Sequence, residues 1–151
     1  MLCLRIEWIT TPQNERDETA EDILHAVKKL ISDCGLTIPG VAIDRAHRIG
    51  KGKMIAGKRC KQIIVRFTSF RYRSMLYKAR KNATKFQIYL DLTKQRKDLL
   101  DQANAYISNQ NIQNCFAFAD LNCRLCLKRD EHFSYFTTYN GLMELVNNSN
   151  N

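Results

Sequence analysis

Residues 62–92 read QIIVRFTSFRYRSMLYKARKNATKFQIYLDL, and this stretch decides the fold. Ile63, Val65 and Phe67 alternate with Gln62, Ile64 and Arg66, the period-2 pattern of a strand with one buried face. From Phe70 to Ala83 the period lengthens. At about 100° per residue, Tyr72, Met75, Leu76, Ala79 and Ala83 share one stripe of a helix. Arg71, Arg73, Lys78, Arg80 and Lys81 cover the remainder. Phe86, Ile88, Leu90 and Leu92 then alternate again as a strand. Strand, basic helix and strand make one β-α-β unit.

A second such unit precedes it. Leu2, Leu4, Ile6 and Trp8 alternate with Cys3, Arg5, Glu7 and Ile9 as a first strand, and Thr10 to Glu18, with Pro12, is a loop. Thr19 and Asp22 are placed as a capping box, with Asp where Glu or Gln is usual. Ile23, Leu24, Val27, Leu30, Ile31 and Cys34 give the next helix its apolar stripe, and Gly35 closes it. Val41 to Ile49 reads as a second strand. Gly50 to Arg59, with Gly50, Gly52 and Gly57, reads as a flexible loop. The order β-α-β-β-α-β over residues 1–92 is the ferredoxin-like arrangement. Residues 93–147 form a second unit. Thr93 is its first N-cap, and Leu99, Leu100, Ala103 and Ile107 line its helix. Strands follow at Cys115 to Ala119, Arg124 to Lys128 and Phe133 to Thr138, then a short helix from Leu142 to Val146. Residues 148–151 are expected to be a disordered tail. The expected fold class is α+β: a ferredoxin-like, RRM-like domain followed by a small α+β C-terminal domain.

Charge is concentrated in the centre. Arg45 to Lys97 holds seventeen Lys and Arg against one acid, Asp91. Residues 1–44 are net −4 and residues 98–151 net −3, so the excess behind the total of +9 lies in the middle. A field that concentrated attracts a polyanion, of which the nucleic-acid backbone is the commonest. The plainer alternative is a solvated basic surface.

Composition narrows the classes further. A chain of 151 residues that is 44% apolar can bury one domain, or one small domain with an appendage. No apolar run approaches the length of a membrane span, and Met1 to Ile9 is too short for a signal peptide. The chain begins directly in a strand pattern, which suggests a fragment of something longer. Six cysteines without a secretory signal point to reduced thiols in an intracellular protein. Cys115, Cys123, Cys126 and His132 could be read as a zinc set. In a strand, however, Cys123 and Cys126 put their sulfurs on opposite faces. No metal and no cofactor are expected.

A ferredoxin-like order with a basic centre suggests an RNA-recognition motif, in which bases stack on two exposed aromatics of the third strand. Here those positions hold Gln62 and Ile64, and the matching first-strand position holds Arg5. The stacking platform is missing. Contact is therefore expected from Arg66, from the second helix, and from Lys51, Lys53, Lys58 and Arg59, in a loop that orders on phosphate or is simply solvated. Arg45 and Arg48, around His47, form a phosphate clamp or pin the end of strand two through carbonyls and a carboxylate, Asp44 being adjacent. Tyr77, off the apolar stripe, is a better stacking candidate than Tyr72. Catalysis finds little footing, because no Ser or Cys nucleophile is placed beside His47. An acylphosphatase-type site needs a tight phosphate loop after the first strand, and Thr10 to Glu18 carries three acids and no glycine.

Ile43-Asp44-Arg45-Ala46-His47-Arg48-Ile49-Gly50, Ile63-Ile64-Val65-Arg66-Phe67-Thr68, the basic helix, Ile88-Tyr89 and Asp91-Leu92-Thr93 together resemble the first-open-reading-frame protein of LINE-type retrotransposons. The resemblance covers nearly the whole chain. It implies an atypical RNA-recognition motif and a small C-terminal domain that bind single-stranded RNA with little sequence preference and act as a nucleic-acid chaperone. It implies a cytoplasmic ribonucleoprotein particle, with nuclear access and DNA binding left open. Self-association would run through a coiled coil not present in this chain. It assigns contact to Arg73, Lys78, Arg80 and Lys81, to Arg96, and to Tyr135 beside Phe136. Where the family has an arginine on the first C-terminal strand, this chain has Cys115 and Phe116. Arg96 has a duller reading in the first turn of a helix, and Tyr135 one in the core. The competing function is a protein–protein interaction module.

Overall fold

The computed structural model describes residues 2–12 and 15–148, with the side chains of Trp8 and Glu15 outside that description. The chain divides into two compact units, Met1–Asp91 and Leu92–Asn151. Each is mixed α and β and carries its own antiparallel sheet.

In the first unit the order is β1 (Cys3–Thr10), α1 (Ala20–Asp33), β2 (Ile43–Ile55), β3 (Lys58–Phe67), α2 (Phe70–Ala79) and β4 (Gln87–Leu90). The sheet runs β2-β3-β1-β4, and every neighbouring pair is antiparallel. Two crossovers therefore interleave: β3 lies between β1 and β2, and β1 between β3 and β4. Burial drives this. Leu4, Ile6, Ile63, Val65 and Phe67 alternate onto one face and join Val27 and Ile31 of α1 and Leu76 of α2 in a single core. The Thr19 hydroxyl caps α1, accepting from the Asp22 amide at 3.2 Å, while the Thr19 amide donates to the Asp22 carboxylate at 2.8 Å. Asp thus closes the box where Glu is usual. Beyond α1, Gly35 takes φ +75.

Several expectations are corrected. The placing of Trp8 on the face of Leu4 and Ile6 concerns a side chain outside the described residues, but β1 does shift register between Ile6 and Ile9. That bulge turns Ile9 into the core at 9% exposure. Val41, expected in β2, lies in a 3-10 turn (Gly40–Ala42) and is 80% exposed. The loop expected at 50–59 is instead a continuous β2–β3 hairpin. Its glycines are not breaks. Gly50 and Gly52 sit at φ +77 and +81 within a bulge between the pairs Ile49↔Gln62 and Lys53↔Cys60. Ala56 and Gly57, at φ +48 and +74, make the two-residue turn, where both residues need positive φ. Helix α2 stops at Ala79, short of Ala83, and Arg80–Asn82 tighten into one 3-10 turn.

The second unit holds α3 (Lys94–Asn109), β5 (Cys115–Ala119), β6 (Leu125–Arg129), β7 (His132–Phe136) and α4 (Tyr139–Asn148). The strands form a β5-β6-β7 meander. Thr93 caps α3, its hydroxyl accepting from the Arg96 amide at 3.4 Å. Ala103 and Ile107 of α3 and Leu142 and Val146 of α4 pack on Ala117, Leu125, Leu127 and Phe136. Cys123, expected in a strand, lies in the turn before β6 at φ +60. Asn148, expected in the tail, ends α4; residues 149–151 lie outside the described residues. No helix among the described residues is long and apolar enough to cross a membrane.

Candidate nucleic-acid interface

The outer face of the first sheet carries the side chains that alternate with the core. Register aligns Tyr89, Arg5, Ile64 and His47 in one row across four strands, and Cys3, Arg66 and Arg45 in another. Tyr89, 43% exposed, is an aromatic on β4 that this row brings beside Arg5. Burial and then the charge of Glu7 push the Tyr89 phenol above its ordinary range, and its hydroxyl donates to Gln87. Gln62 donates to Glu7, and Arg5 pairs with Asp91 at 2.8 Å. The two β3 positions where bases would stack hold a glutamine engaged with a carboxylate and an isoleucine.

Of the candidate arginines, several are engaged inside the fold. Arg48 pins the unit: Nε and Nη2 donate to the two oxygens of Glu18 at 2.6 and 2.7 Å. Nη1 and Nη2 also reach the carbonyls of Ile9 and Thr10 at 3.2 and 3.0 Å. Both side chains of the pair are only 10% exposed. Arg48 is therefore the strand pin and not the clamp, and its carboxylate is Glu18 rather than Asp44. Arg73 is a larger correction. Expected among the solvent-facing cations of α2, it is fully buried, with Nε donating to the Cys3 carbonyl at 3.2 Å. The helix is turned so that Arg73 and Ser74 are buried beside Leu76. A guanidinium in that position cannot reach a phosphate.

Arg80 lies with its guanidinium 4.0 Å over the Tyr77 ring and donates to the Tyr77 carbonyl at 2.7 Å. Tyr77 itself packs against the core. Packed on the core and covered by Arg80 as well, Tyr77 is not an open stacking residue. Arg66 faces Asp44 at 3.5 Å, both about half exposed. Arg59 donates to the Lys51 carbonyl at 2.8 Å across the hairpin.

Lys51, Lys53, Lys58, Arg71, Lys78 and Lys81, with Arg45, are exposed. The hairpin bulge opens a cleft of about 270 Å³ whose lining includes Lys51, Lys53 and Lys61 together with Glu7 and Gln62. By unit, residues 1–91 carry eighteen Lys and Arg against nine acids, and residues 92–151 six against six. The first unit therefore holds the whole net charge of +9, and the second is neutral.

In the second unit Arg96 is not idle: Nη1 donates to the Cys123 carbonyl at 3.0 Å and fastens the β5–β6 turn to α3. Asp120 organises that turn, accepting from the Asn122 and Arg124 amides, both at 2.9 Å. Tyr135 is not in the core; it is 55% exposed, on a strand whose next residue, Phe136, is buried. Phe116, Phe118, Phe133, Arg124 and Lys128 escaped the sequence reading. Their signal was present as spacings of two within single strands, Phe116 to Phe118 and Phe133 to Tyr135, and of four from Arg124, just before β6, to Lys128. Burial raises the thiols of Cys3, Cys34, Cys115 and Cys126, which keeps them protonated. All six cysteines are free, and no group of three or more metal-ligating side chains occurs among the described residues. Comparison with known proteins finds no family model and no curated protein that matches the chain.

Proposed function

We propose that this chain is a non-enzymatic module that binds single-stranded nucleic acid, RNA first, with little sequence preference and acts as a nucleic-acid chaperone. On this reading its first unit is a ferredoxin-like, RRM-like domain; the β2-β3-β1-β4 order supports that assignment. The resemblance to LINE-type first-open-reading-frame proteins supports the further part of the proposal, that it works in a retrotransposon ribonucleoprotein particle. The observation that carries the proposal is the segregation of charge. All net charge sits on one unit. There Lys51, Lys53 and Lys58 are exposed on the β2–β3 hairpin and Lys78 and Lys81 on α2 and the turn after it, with Lys28, Lys29 and Lys85 exposed elsewhere on the unit. Lysines so placed neutralise phosphates, release counterions and exchange quickly. A second reading, a protein-interaction module, is favoured by Gln62 and Ile64, which leave the β3 face without base-stacking rings.

The test is the affinity for a fluorescent mixed-sequence single-stranded RNA, titrated across salt. The proposal expects a steep log–log slope, equal for unrelated sequences. Lys78→Ala with Lys81→Ala should lower that slope by about 1.4, roughly 0.7 per phosphate contact. Absence of binding at low salt, or affinity confined to one sequence, would overturn it.

A further inference from the structure

The sheet of the second unit has two chemically different faces. Ala117, Leu125, Leu127 and Phe136 are buried under α3 and α4. Most of the residues alternating with them are aromatic: Phe116, Phe133 and Tyr135 are 48%, 61% and 55% exposed, and Phe118 is half-buried between them. Register gathers them. Phe116, Lys128 and Phe133 stand opposite one another in one row, and Phe118, Cys126 and Tyr135 in the next. The Phe118 ring is 5.7 Å from Phe116 and meets Phe133 edge-on at 6.3 Å. Cations sit among the rings. Lys128 Nζ lies 5.4 Å from the Phe133 centroid and 6.0 Å from that of Phe116. The Arg124 guanidinium lies 4.3 Å over Tyr135 and donates to its hydroxyl at 2.9 Å.

We propose that this face is a base-stacking platform for single-stranded nucleic acid, on which bases meet the rings of Phe116, Phe133 and Tyr135 while Lys128 takes a phosphate. The inference rests on the nucleic-acid reading above and adds a second, non-electrostatic contact to it. Charge chooses the occupant. A second copy of the same face, docked about a two-fold axis, would bring the Lys128 and Arg124 of both copies into one interface. The core of a protein interface is poor in lysine, whereas here Lys128 stands between two rings. A nucleic-acid strand suits both features, because every base has a π-face and every linkage an anion. Arg124 is held by Asp120 at 2.7 Å, so Lys128 carries the electrostatic part. The second unit is neutral, so long-range attraction alone would not hold a strand there. Stacking supplies what charge does not.

The experiment compares a mixed-sequence single strand with an abasic strand of equal length and charge, for the wild-type chain and for Phe133→Leu with Tyr135→Leu. The expected result is tighter wild-type binding of the base-bearing strand. Each ring removed should weaken that binding by about 5- to 150-fold, with abasic binding and salt slope unchanged. If the double variant lowers the melting temperature, Phe116→Leu alone gives the same comparison from the other row. Equal loss on both strands, or no loss on either, overturns the platform while leaving the function standing. So does a variant that only converts a dimer to a monomer in sedimentation. Failure of the wild-type chain to bind either strand at low salt overturns the function itself.

Discussion

Arg48 offers the sharpest separation of a structural cation from a binding one. Replacing it with Ala removes four hydrogen bonds: two to Glu18 and one each to the Ile9 and Thr10 carbonyls. It also strands the Glu18 carboxylate, which is only 10% exposed. Breaking a buried ion pair from one side costs roughly 3–5 kcal/mol. Because a tenth of each side chain still meets water, the low end applies, about 3 kcal/mol. For a unit of this size each kcal/mol shifts the melting temperature by about 4–8 °C, so the first-unit transition should fall by roughly 12–24 °C. Thermal unfolding followed by circular dichroism reads this directly. The double variant Arg48→Met with Glu18→Gln should recover a large part, because no unpaired charge remains. The salt slope of nucleic-acid binding, measured below the transition, should equal that of the wild type. The reasoning fails if Arg48→Ala melts with the wild type and instead lowers the slope by about 0.7, the signature of a lost phosphate contact.

Two further outcomes follow from the second unit. The Asn104 side chain pairs with the edge of β5, accepting from the Ala117 amide at 3.0 Å and donating to its carbonyl at 3.1 Å. Asn104→Ala should cost about 1–3 kcal/mol and speed exchange of the Ala117 amide, as read by hydrogen-exchange NMR; unchanged protection would refute it. Burial works against the charge on Asp120, but the Arg124 and Asn122 amides and the Arg124 guanidinium outweigh it and hold its carboxyl below the ordinary range. Its stabilisation is therefore complete above the unfolded carboxyl value and is lost as pH falls through the lower folded one. Asp120→Asn should flatten the acid limb of stability below about pH 4, and an unchanged limb would count against this.

What could be read from sequence is what depends on near neighbours. The capping box at Thr19 and Asp22, the stripe of α1 and the alternation of Ile63, Val65 and Phe67 are all set within a few residues. The hairpin was hidden because its glycines have two physical uses. Gly50 and Gly52 look like breaks in a strand, yet they supply the positive φ of a bulge inside one. The turn at Ala56-Gly57 lacks the Asn or Asp that usually announces such a turn. Arg48 was undecidable for another reason. Its partner Glu18 lies thirty residues away, and Asp44, close in sequence, pairs with Arg66 instead. The burial of Arg73 depends on how α2 is rotated against the sheet, and its weak apolar stripe does not determine that.

The division between arginine and lysine in the first unit bears on how it would handle a strand. Arg5, Arg48, Arg59, Arg66, Arg73 and Arg80 are engaged with carboxylates, carbonyls or a ring of the same unit. Lys51, Lys53, Lys58, Lys78 and Lys81 are left in water. Physical chemistry favours that sorting, because the planar arginine fork fits two acceptors at once, whereas ammonium is a compact, strongly hydrated point charge. The surface offered to a phosphate backbone is then largely one of point charges on flexible stems. Such contacts follow charge and ignore base identity, since direct base reading draws on bidentate forks, most of which are here committed to the fold, although Arg45 and Arg71 are exposed. They also break one at a time, so a bound strand can shift register without leaving. A tolerant, fast-exchanging cationic surface and a separate ring-bearing face would divide the work of a chaperone. On the proposed function, the first would gather strands, and the second would hold bases unpaired long enough for a new partner to arrive.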